Sequence, residues 1–175
     1  MPERPVLALP EPVLKRVAEP VSGIGPDERA LAADLLDTMR VSPACVGIAA
    51  PQIGVSIRAF CMDVTGHKKA DSCHGEVVLF NPEILVARAP EVAREGCMSV
   101  PDLTGNVARA TEVVVQGLDA KGNQRVIEAN AFEARALLHE IDHLDGFLFL
   151  DRVTSLKTDV FRRQTYEGRR GRGRS

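Results

Sequence analysis

The chain lacks a long uninterrupted apolar segment, a serine- and glycine-rich linker in its interior, an internal repeat and any cysteine pair in a Cys-x-x-Cys spacing. The first absence argues against a membrane-spanning helix, and the second favours one domain, since 175 residues are enough for one sizeable core. The first five residues do not show the basic-then-apolar order of a secretory signal, so we expect a cytoplasmic protein without a membrane partner. In a reducing cytoplasm we expect free thiols at all four cysteines, Cys45, Cys61, Cys73 and Cys97.

Charge is unevenly distributed, although the formal net charge is only -2. Residues 152–175 contain eight basic and two acidic side chains, whereas the remaining residues contain 14 basic and 22 acidic ones. Near the C-terminus glycine and arginine alternate without an apolar anchor. We therefore expect a folded domain over residues 1–164 and a basic, disordered tail over residues 165–175.

Hydrophobic periodicity and the positions of proline and glycine predict both helices and strands. Several prolines up to Pro26 favour an extended, turn-rich N-terminal segment that wraps the body. The predicted helices cover residues 27–40, 130–146 and 155–164. The predicted strands cover residues 57–63, 76–81, 83–87, 112–117 and 124–128, and the last two are expected to form a hairpin.

The helix predicted over residues 130–146 has signals at both ends. Asn130 can cap its start, and Glu133 stands three residues later, as in a capping box. Gly146 suits its end, because glycine adopts the left-handed conformation that commonly stops a helix.

The segment His139-Glu140-Ile141-Asp142-His143 lies inside this predicted helix and matches the pattern His-Glu-x-x-His. Residues four apart stand one above the other on a helix, so His139 and His143 can both reach one divalent metal ion. Glu140 is offset from both imidazoles but close enough to meet a water on the metal, as a general base must be. Two solvent-facing histidines on a charged helix are the simpler alternative, which the helical context disfavours.

A catalytic site of this kind needs a third protein ligand and an open position for water. Phe149 stands where a metzincin would carry its third histidine, which excludes that class. Glu167, the only glutamate after His143, lies in the arginine- and glycine-rich tail, which argues against a thermolysin-like site. Cys97 is the better candidate, although a cysteine considered alone is more often an inert core residue.

Three segments together resemble the motifs of the peptide deformylase family, and they occur in the family's order. They are Gly47-Ile48-Ala49-Ala50-Pro51-Gln52, Glu95-Gly96-Cys97-Met98-Ser99 and the segment from His139 to His143. The similarity extends over residues 5–160. It implies an α+β fold in which small antiparallel β-sheets pack around a central helix that bears the His-Glu-x-x-His motif.

The resemblance also implies roles for the residues of the site. The implied metal ligands are Cys97, His139 and His143, which would bind one divalent ion, natively Fe(II), for which Zn(II), Ni(II) or Co(II) could substitute. Glu140 would act as the general acid and base. The side-chain amide of Gln52 and the backbone N–H of Met98 would stabilise the negative oxygen that forms during the reaction.

Substrate contacts follow from the same resemblance. The backbone of Gly47 would hydrogen-bond the main chain of an extended peptide. Val46, Phe132 and Ala136 are positional candidates for the apolar pocket of a methionine side chain, although a plain core role would suit each of them equally. Asp142 is expected to make a supporting ion pair and not to touch the metal.

These assignments imply a hydrolase that removes the N-formyl group from the N-terminal formylmethionine of nascent polypeptides and releases formate. Two alternatives stay open: a related protein that acts on another small N-acyl peptide, and a metal-binding protein without catalysis. A closed structural metal site would need neither Glu140 nor Gln52, which argues against the second alternative.

The sequence departs from the family pattern at Cys45, Thr104 and Leu138. Thr104 stands where many bacterial members carry an arginine that meets the peptide main chain. We therefore expect substrate affinity to be the property most affected.

Two further features invite functional hypotheses. The basic tail could contact ribosomal RNA phosphate or could simply be a solvated segment, and we expect no DNA partner. His67, Cys73 and His74 could suggest a second metal site, but they lack the spacing of metal ligands, so a flexible loop is the plainer expectation.

Overall fold

Six antiparallel strands and two α-helices form the part of the chain, residues 3–163, that is described by the structure, a computed structural model. Helix α1 covers Pro26–Val41 and helix α2 covers Ala131–Leu144. The strands are β1 (Gly47–Ala49), β2 (Ala59–Met62), β3 (Val77–Cys97), β4 (Val100–Leu118), β5 (Gln124–Asn130) and β6 (Val160–Arg162). Short 3-10 helices cover Pro12–Lys15, Ala50–Ile53 and Phe149–Asp151. The predicted α+β class is confirmed.

The strands follow the order β1-β2-β3-β4-β5, and β6 is added to β4. The sequence predicts two strands at 76–81 and 83–87, but β3 continues through the Pro82 that separates them. The strand remains continuous because it absorbs the proline in an irregular stretch, where Asn81 has a φ of 50° and the register with β4 shifts. One hydrogen-bonded network thus joins the small antiparallel sheets that the family resemblance implies.

Helix α2 packs its apolar side against the sheet. Leu137, Ile141 and Leu144 are between 0% and 3% exposed, and they share a core cluster with Phe60 and Leu79 of the strands. Complete burial of one such side chain contributes about 1.5–3 kcal/mol. The helix is therefore firmly positioned, and with it the polar residues that it carries.

Helix α1 is confirmed at nearly its predicted limits. Pro26 occupies its first turn, and the side chain of Glu28 accepts a hydrogen bond from the backbone N–H of Gly25. Its apolar residues Leu31 and Leu35 pack in a second core cluster.

Helix α2 begins directly after Asn130, as predicted, but the predicted side-chain caps are not formed. Asn130 stands at the N-cap position, but its side chain accepts a hydrogen bond from the backbone N–H of Ser72 and makes no cap. Glu133 is buried and accepts hydrogen bonds from Ser72 and His74. The capping-box prediction is wrong because partners from the loop before β3 engage both side chains. The predicted stop is confirmed, since Gly146 has a φ of 80°.

The helix predicted over residues 155–164 is wrong within the described residues. Ser155 and Asp159 make only a single helical turn through their backbones, and β6 follows. This strand pairs with Leu103–Gly105 at the edge of β4, where its backbone gains ladder hydrogen bonds. Pairing with an open sheet edge thus prevails over a weak local helical preference. The predicted tail, residues 165–175, lies outside the described residues.

Two other predictions are confirmed. Strands β4 and β5 form the expected hairpin, in register from Glu112 opposite Asn130 to Leu118 opposite Gln124. The N-terminal segment is extended and crosses the body, and the backbone N–H of Leu7 donates to the carbonyl of Gln52. Within residues 3–163, no helix has the length and apolarity needed to cross a bilayer.

Replacement of Gly146 by alanine should destabilise the protein strongly. A Cβ at this position would lie 2.8 Å from the carbonyl oxygen of Lys15, in addition to the cost of a left-handed φ. We expect the free energy of unfolding to fall by about 2–4 kcal/mol in urea denaturation. Gly75→Ala is the matched control, because Gly75 has a φ of 68° but a Cβ added there would meet nothing within 4 Å. Equal losses in the two variants would contradict a role for the Lys15 contact.

Candidate metal centre

Helix α2 presents His139 and His143 one turn apart, and the end of β3 brings Cys97 to them. One ligand atom from each of these residues lies within 4.8 Å of the others. Among the His, Cys, Asp and Glu side chains of residues 3–163, this is the group that could hold a metal ion. The Sγ of Cys97 is 3.4 Å from the Nε2 of His143. Metal–sulfur and metal–nitrogen bonds are about 2.0–2.3 Å long, so one ion could contact all three ligands.

The turn between β3 and β4 fixes the position of Cys97. Met98 and Ser99 form this turn, and Ser99 is fully buried. The Oγ of Ser99 accepts a hydrogen bond of 3.0 Å from the side chain of Gln52 and donates one of 2.7 Å to the carbonyl of Leu7. The turn is therefore held from two sides, by the 3-10 helix that carries Gln52 and by the N-terminal segment.

Glu95 orients the imidazole of His139. Its Oε2 accepts a hydrogen bond of 2.9 Å from the Nδ1 of His139, which leaves Nε2 available to a metal. Its Oε1 accepts hydrogen bonds from Arg109 at 2.8 Å and from Arg135 at 2.9 Å. Burial by itself raises the pKa of Glu95, but the hydrogen bonds from His139 and Arg109 hold the pKa far below its usual range. Glu95 is therefore a buried carboxylate.

Arg109 links this carboxylate to helix α2. Its guanidinium also donates to the carboxylate of Asp142, which receives a second hydrogen bond of 2.9 Å from Arg152. Burial lowers the pKa of Arg109, but Glu95 and Asp142 raise it above its ordinary value. Asp142 thus makes ion pairs beside the site and is not part of the ligand group.

The pKa values of Cys97 and His139 are shifted so that both residues favour their charged forms. Burial raises the pKa of the Cys97 thiol, but the neighbouring imidazoles of His143 and His139 bring the pKa well below its ordinary value. Burial lowers the pKa of His139, but contacts with Cys97 and Glu95 raise it well above. The site therefore favours a thiolate facing positive charge, and a divalent cation would supply that charge in place of protons.

The residues present fit a bound divalent metal. A thiolate with two imidazoles suits transition metals such as iron and zinc. Among the described residues, two buried polar side-chain atoms have no hydrogen-bond partner, and both belong to this site: Oε2 of Glu140 and Nδ1 of His143. An unpaired buried carboxylate oxygen is costly and is therefore often found where a site has a function.

Glu140 lies beside the ligands and faces Gly47 of strand β1. Burial raises the pKa of Glu140 to about 7; the two imidazoles lower it, and Cys97 and Glu95 raise it further. A pKa near neutrality suits a group that must both accept and release a proton. A Cβ at Gly47 would lie 2.7 Å from the Oε1 of Glu140, so glycine is needed for this close approach.

The side-chain amide of Gln52 lies next to the ligand sulfur. Its Nε2 is 3.5 Å from the Sγ of Cys97, and its Oε1 accepts a hydrogen bond of 2.9 Å from the backbone N–H of Ala49. The amide is therefore fixed with its nitrogen directed towards the metal centre. Met98 follows Cys97 in the turn and borders the same cavity.

A cavity of about 790 Å³ opens in front of these groups. This is a common size for a ligand site. The structure brings to it most of the sequence-predicted residues, which are Val46, Gly47, Gln52, Cys97, Met98, Phe132, Ala136, His139 and Glu140. His143 is 1% exposed and lies behind the others.

Sequence analysis assigns no role at the cavity to Arg163 or to His67, and both border it. Arg163 reaches the mouth of the cavity, where its guanidinium packs over Gly96 and lies 3.5 Å from the carbonyl oxygen of Cys97. Thr104 borders the same spot, so a guanidinium stands close to the position where the family arginine is missing. The second residue is His67, whose ring stacks on Phe132. Neither residue has a local sequence signal for a place at the cavity, because both lie on segments that are distant in sequence from the three motifs.

The loop that contains His67, Cys73 and His74 is hydrogen-bonded to helix α2. The Nδ1 of His74 lies 2.6 Å from a carboxylate oxygen of Glu133. The Sγ of Cys73 lies 3.4 Å from the hydroxyl of Thr65. Within residues 3–163 these side chains form no second group able to hold a metal.

The fold and the centre together define a class of protein. A thiolate and two imidazoles on a His-Glu-x-x-His helix, with a glutamate beside them and a cavity in front, are typical of a metal-dependent hydrolase with a single metal ion. The family model described as polypeptide deformylase matches residues 3–159. The chain belongs to the polypeptide deformylase family, as its three motifs predict.

Relatives and solved structures agree with this membership. The chain is 39% identical over 173 residues to the peptide deformylase of Rhizobium meliloti (strain 1021), covering 97% of this chain and 96% of the relative. It is 40% identical over 155 residues to that of Thermodesulfovibrio yellowstonii, covering 89% and 92%. A peptide deformylase structure from Legionella pneumophila superimposes with a TM-score of 0.80 at 39% identity and 88% coverage of both chains. The Ehrlichia chaffeensis enzyme in complex with actinonin gives 0.83 at 32% identity, covering 90% and 92%.

Replacement of Glu95 by glutamine should weaken metal binding. The hydrogen bond to His139 would lose its charge, and loss of such a supporting partner typically lowers metal affinity about 10–100-fold. We would measure the dissociation constant for Zn(II) or Co(II) by competition with a chelator. Glu91→Gln is the matched control, since Glu91 is an exposed residue of the same strand. An unchanged affinity in folded Glu95→Gln protein would contradict this role.

Proposed function

We propose that the protein hydrolyses the N-formyl group of peptides that begin with formylmethionine, and that it releases formate. The observation that carries this conclusion is the metal centre, in which Cys97, His139 and His143 surround one position that Glu140 borders. Membership of the polypeptide deformylase family supports the same reaction.

Cys97, His139 and His143 would hold the metal ion. When bound, a divalent ion supplies Lewis-acid chemistry: it lowers the pKa of a water and polarises the formyl carbonyl. Fe(II) is our proposal for the native metal, and Zn(II), Ni(II) or Co(II) are possible substitutes because the same donor set accepts all of them.

Glu140 would act as the general acid and base. Its carboxylate would take a proton from the attacking water and pass it to the departing amine of the peptide. Its pKa of about 7 and its unpaired buried oxygen support this role, because the group is ready to exchange a proton near neutral pH.

Gln52 and Met98 would stabilise the negative charge on the formyl oxygen. The amide nitrogen of Gln52 is fixed near Cys97 by its contacts with Ser99 and Ala49. Donors that are already oriented need not reorganise when charge develops, and removal of one such donor typically costs about 10²–10³ in kcat.

The substrate main chain would lie along strand β1. This strand is at one end of the sheet order, so one of its edges has no neighbouring strand among the described residues. An extended peptide could add there through the backbone of Gly47. Val46, Phe132 and Ala136 border the cavity nearby and would form the pocket for the methionine side chain.

We further propose that the protein works in the cytoplasm on nascent chains, since formylmethionine is the first residue of a chain on the ribosome. Contact between the basic tail and the ribosome stays a prediction, because residues 165–175 lie outside the described part. A second candidate function, action on another small N-acyl group, is suggested by Thr104 and Leu138, and of these two residues Thr104 borders the cavity. Arg163 beside Thr104 weakens that argument, because it brings an arginine to the same region.

The Glu140→Gln variant tests the reaction. We expect native protein loaded anaerobically with Fe(II), or loaded with Ni(II), to release formate from formyl-Met-Ala peptides. The variant should keep its metal but lose about 10²–10⁴-fold in kcat. Glu128→Gln, at an exposed residue of β5, is the control and should match native protein. Metal retention by native protein without turnover on formyl or other acyl peptides would favour a non-catalytic metal protein.

Arg163 should contribute to substrate binding. Its guanidinium at the mouth could donate to main-chain carbonyls or a carboxylate of the peptide beyond its first residue. We expect Arg163→Ala to raise KM about five- to tenfold with little change in kcat, as for loss of one charge-assisted hydrogen bond. Arg162→Ala is the matched control, because Arg162 is an exposed neighbour that does not border the cavity. Equal effects in both variants would point to overall charge and not to this contact.

A further inference from the structure

We propose that His67 is a specificity-determining residue: its imidazole, stacked on Phe132, forms a wall of the pocket that receives the first side chain of the substrate. This inference rests on the proposed function and adds a pocket residue from a segment outside the three motifs.

The geometry of the two rings supports a shared wall. The rings of His67 and Phe132 are nearly parallel, with an interplanar angle of 5° and centroids 3.7 Å apart. Both residues border the cavity that also reaches the metal ligands, and so does Ala136. Phe132 lies seven residues before His139 on α2, which is a rise of about 10 Å. A methionine side chain that extends from a formyl group held at the metal spans a comparable distance.

Contacts on the C-terminal side of His67 hold the loop in this position. On the far side, Ser72 and His74 hydrogen-bond to Asn130 and Glu133 at the start of α2. Between them and His67, Ala70 packs against the core cluster that contains α2. Asn130 and Glu133, which have the sequence pattern of a capping box, thus bind the loop to the same turn of the helix that carries Phe132.

The protonation state of His67 suits an apolar pocket. Its Nδ1 accepts a hydrogen bond of 3.1 Å from the backbone N–H of Lys69, so this nitrogen carries no proton. Burial, together with the charges of Lys69 and Lys68, lowers the pKa of His67, which keeps the ring neutral near pH 7. A neutral aromatic ring favours a thioether at its edge or face. His67 therefore selects at the binding step and takes no part in the chemistry.

The experiment compares two substrates that differ only in the length of their first side chain. Formyl-Met-Ala-Ser places a thioether at the wall, whereas formyl-Ala-Ala-Ser has a first side chain too short to touch it. We would measure kcat/KM for both with metal-loaded native protein and with His67→Ala, His67→Phe and Phe132→Ala. Lys68→Arg is the matched control, because Lys68 is exposed in the same loop and does not border the cavity, and arginine keeps the positive charge near His67.

We expect His67→Ala to lower the preference for the methionine peptide by about two- to tenfold, the range for loss of a sulfur–aromatic contact. The change should lie in KM, and His67→Phe should restore the preference. Lys68→Arg should behave as native protein. An unchanged preference in His67→Ala would overturn the proposal, whether or not Phe132→Ala changes it.

A second measurement needs no turnover. We would measure the affinity of the same peptides for metal-loaded Glu140→Gln protein by calorimetry, and repeat it with the Glu140→Gln/His67→Ala double variant. Absence of formate release by native protein would refute the proposed function. The ratio of the affinities for the methionine and alanine peptides would still decide the role of His67. If neither peptide binds, both proposals fail.

Discussion

The buried carboxylate of Glu95 is the interaction on which the rest of the site depends. It receives hydrogen bonds from His139 on α2 and from Arg109 and Arg135, and it stands two residues before Cys97. A buried charge is tolerable only where several partners compensate it. One side chain therefore ties the strand that supplies the sulfur to the helix that supplies the nitrogens. Asp142 and Arg152 extend the same network to the following segment.

The parts of the fold that the sequence predicts well are those whose signals are local. Helix α1 and the hairpin of β4 and β5 depend on periodicity and turn residues, and His139 and His143 meet because residues four apart on a helix always do. Cys97 could be assigned only through three motifs taken together. Arg135 and Arg163 could not be found, because their partners lie 28 to 66 residues away in the chain.

Wrong local predictions have one common cause, which is a tertiary partner that outcompetes a local preference. Asn130 and Glu133 have the pattern of a capping box, yet Ser72 and His74 use both side chains. Residues 160–162 lie in a segment predicted to be helical, yet the open edge of β4 pairs with them. In each case the sequence contains both residues of the observed contact, but no local pattern indicates which distant segment provides the partner.

The hydrogen bond from Ser99 to the carbonyl of Leu7 joins residues 92 positions apart, and the ligands themselves extend from Cys97 to His143. The centre cannot assemble until nearly the whole chain has left the ribosome, because its N-terminal support and its C-terminal helix must both be present. During its own synthesis the chain therefore has no complete metal centre.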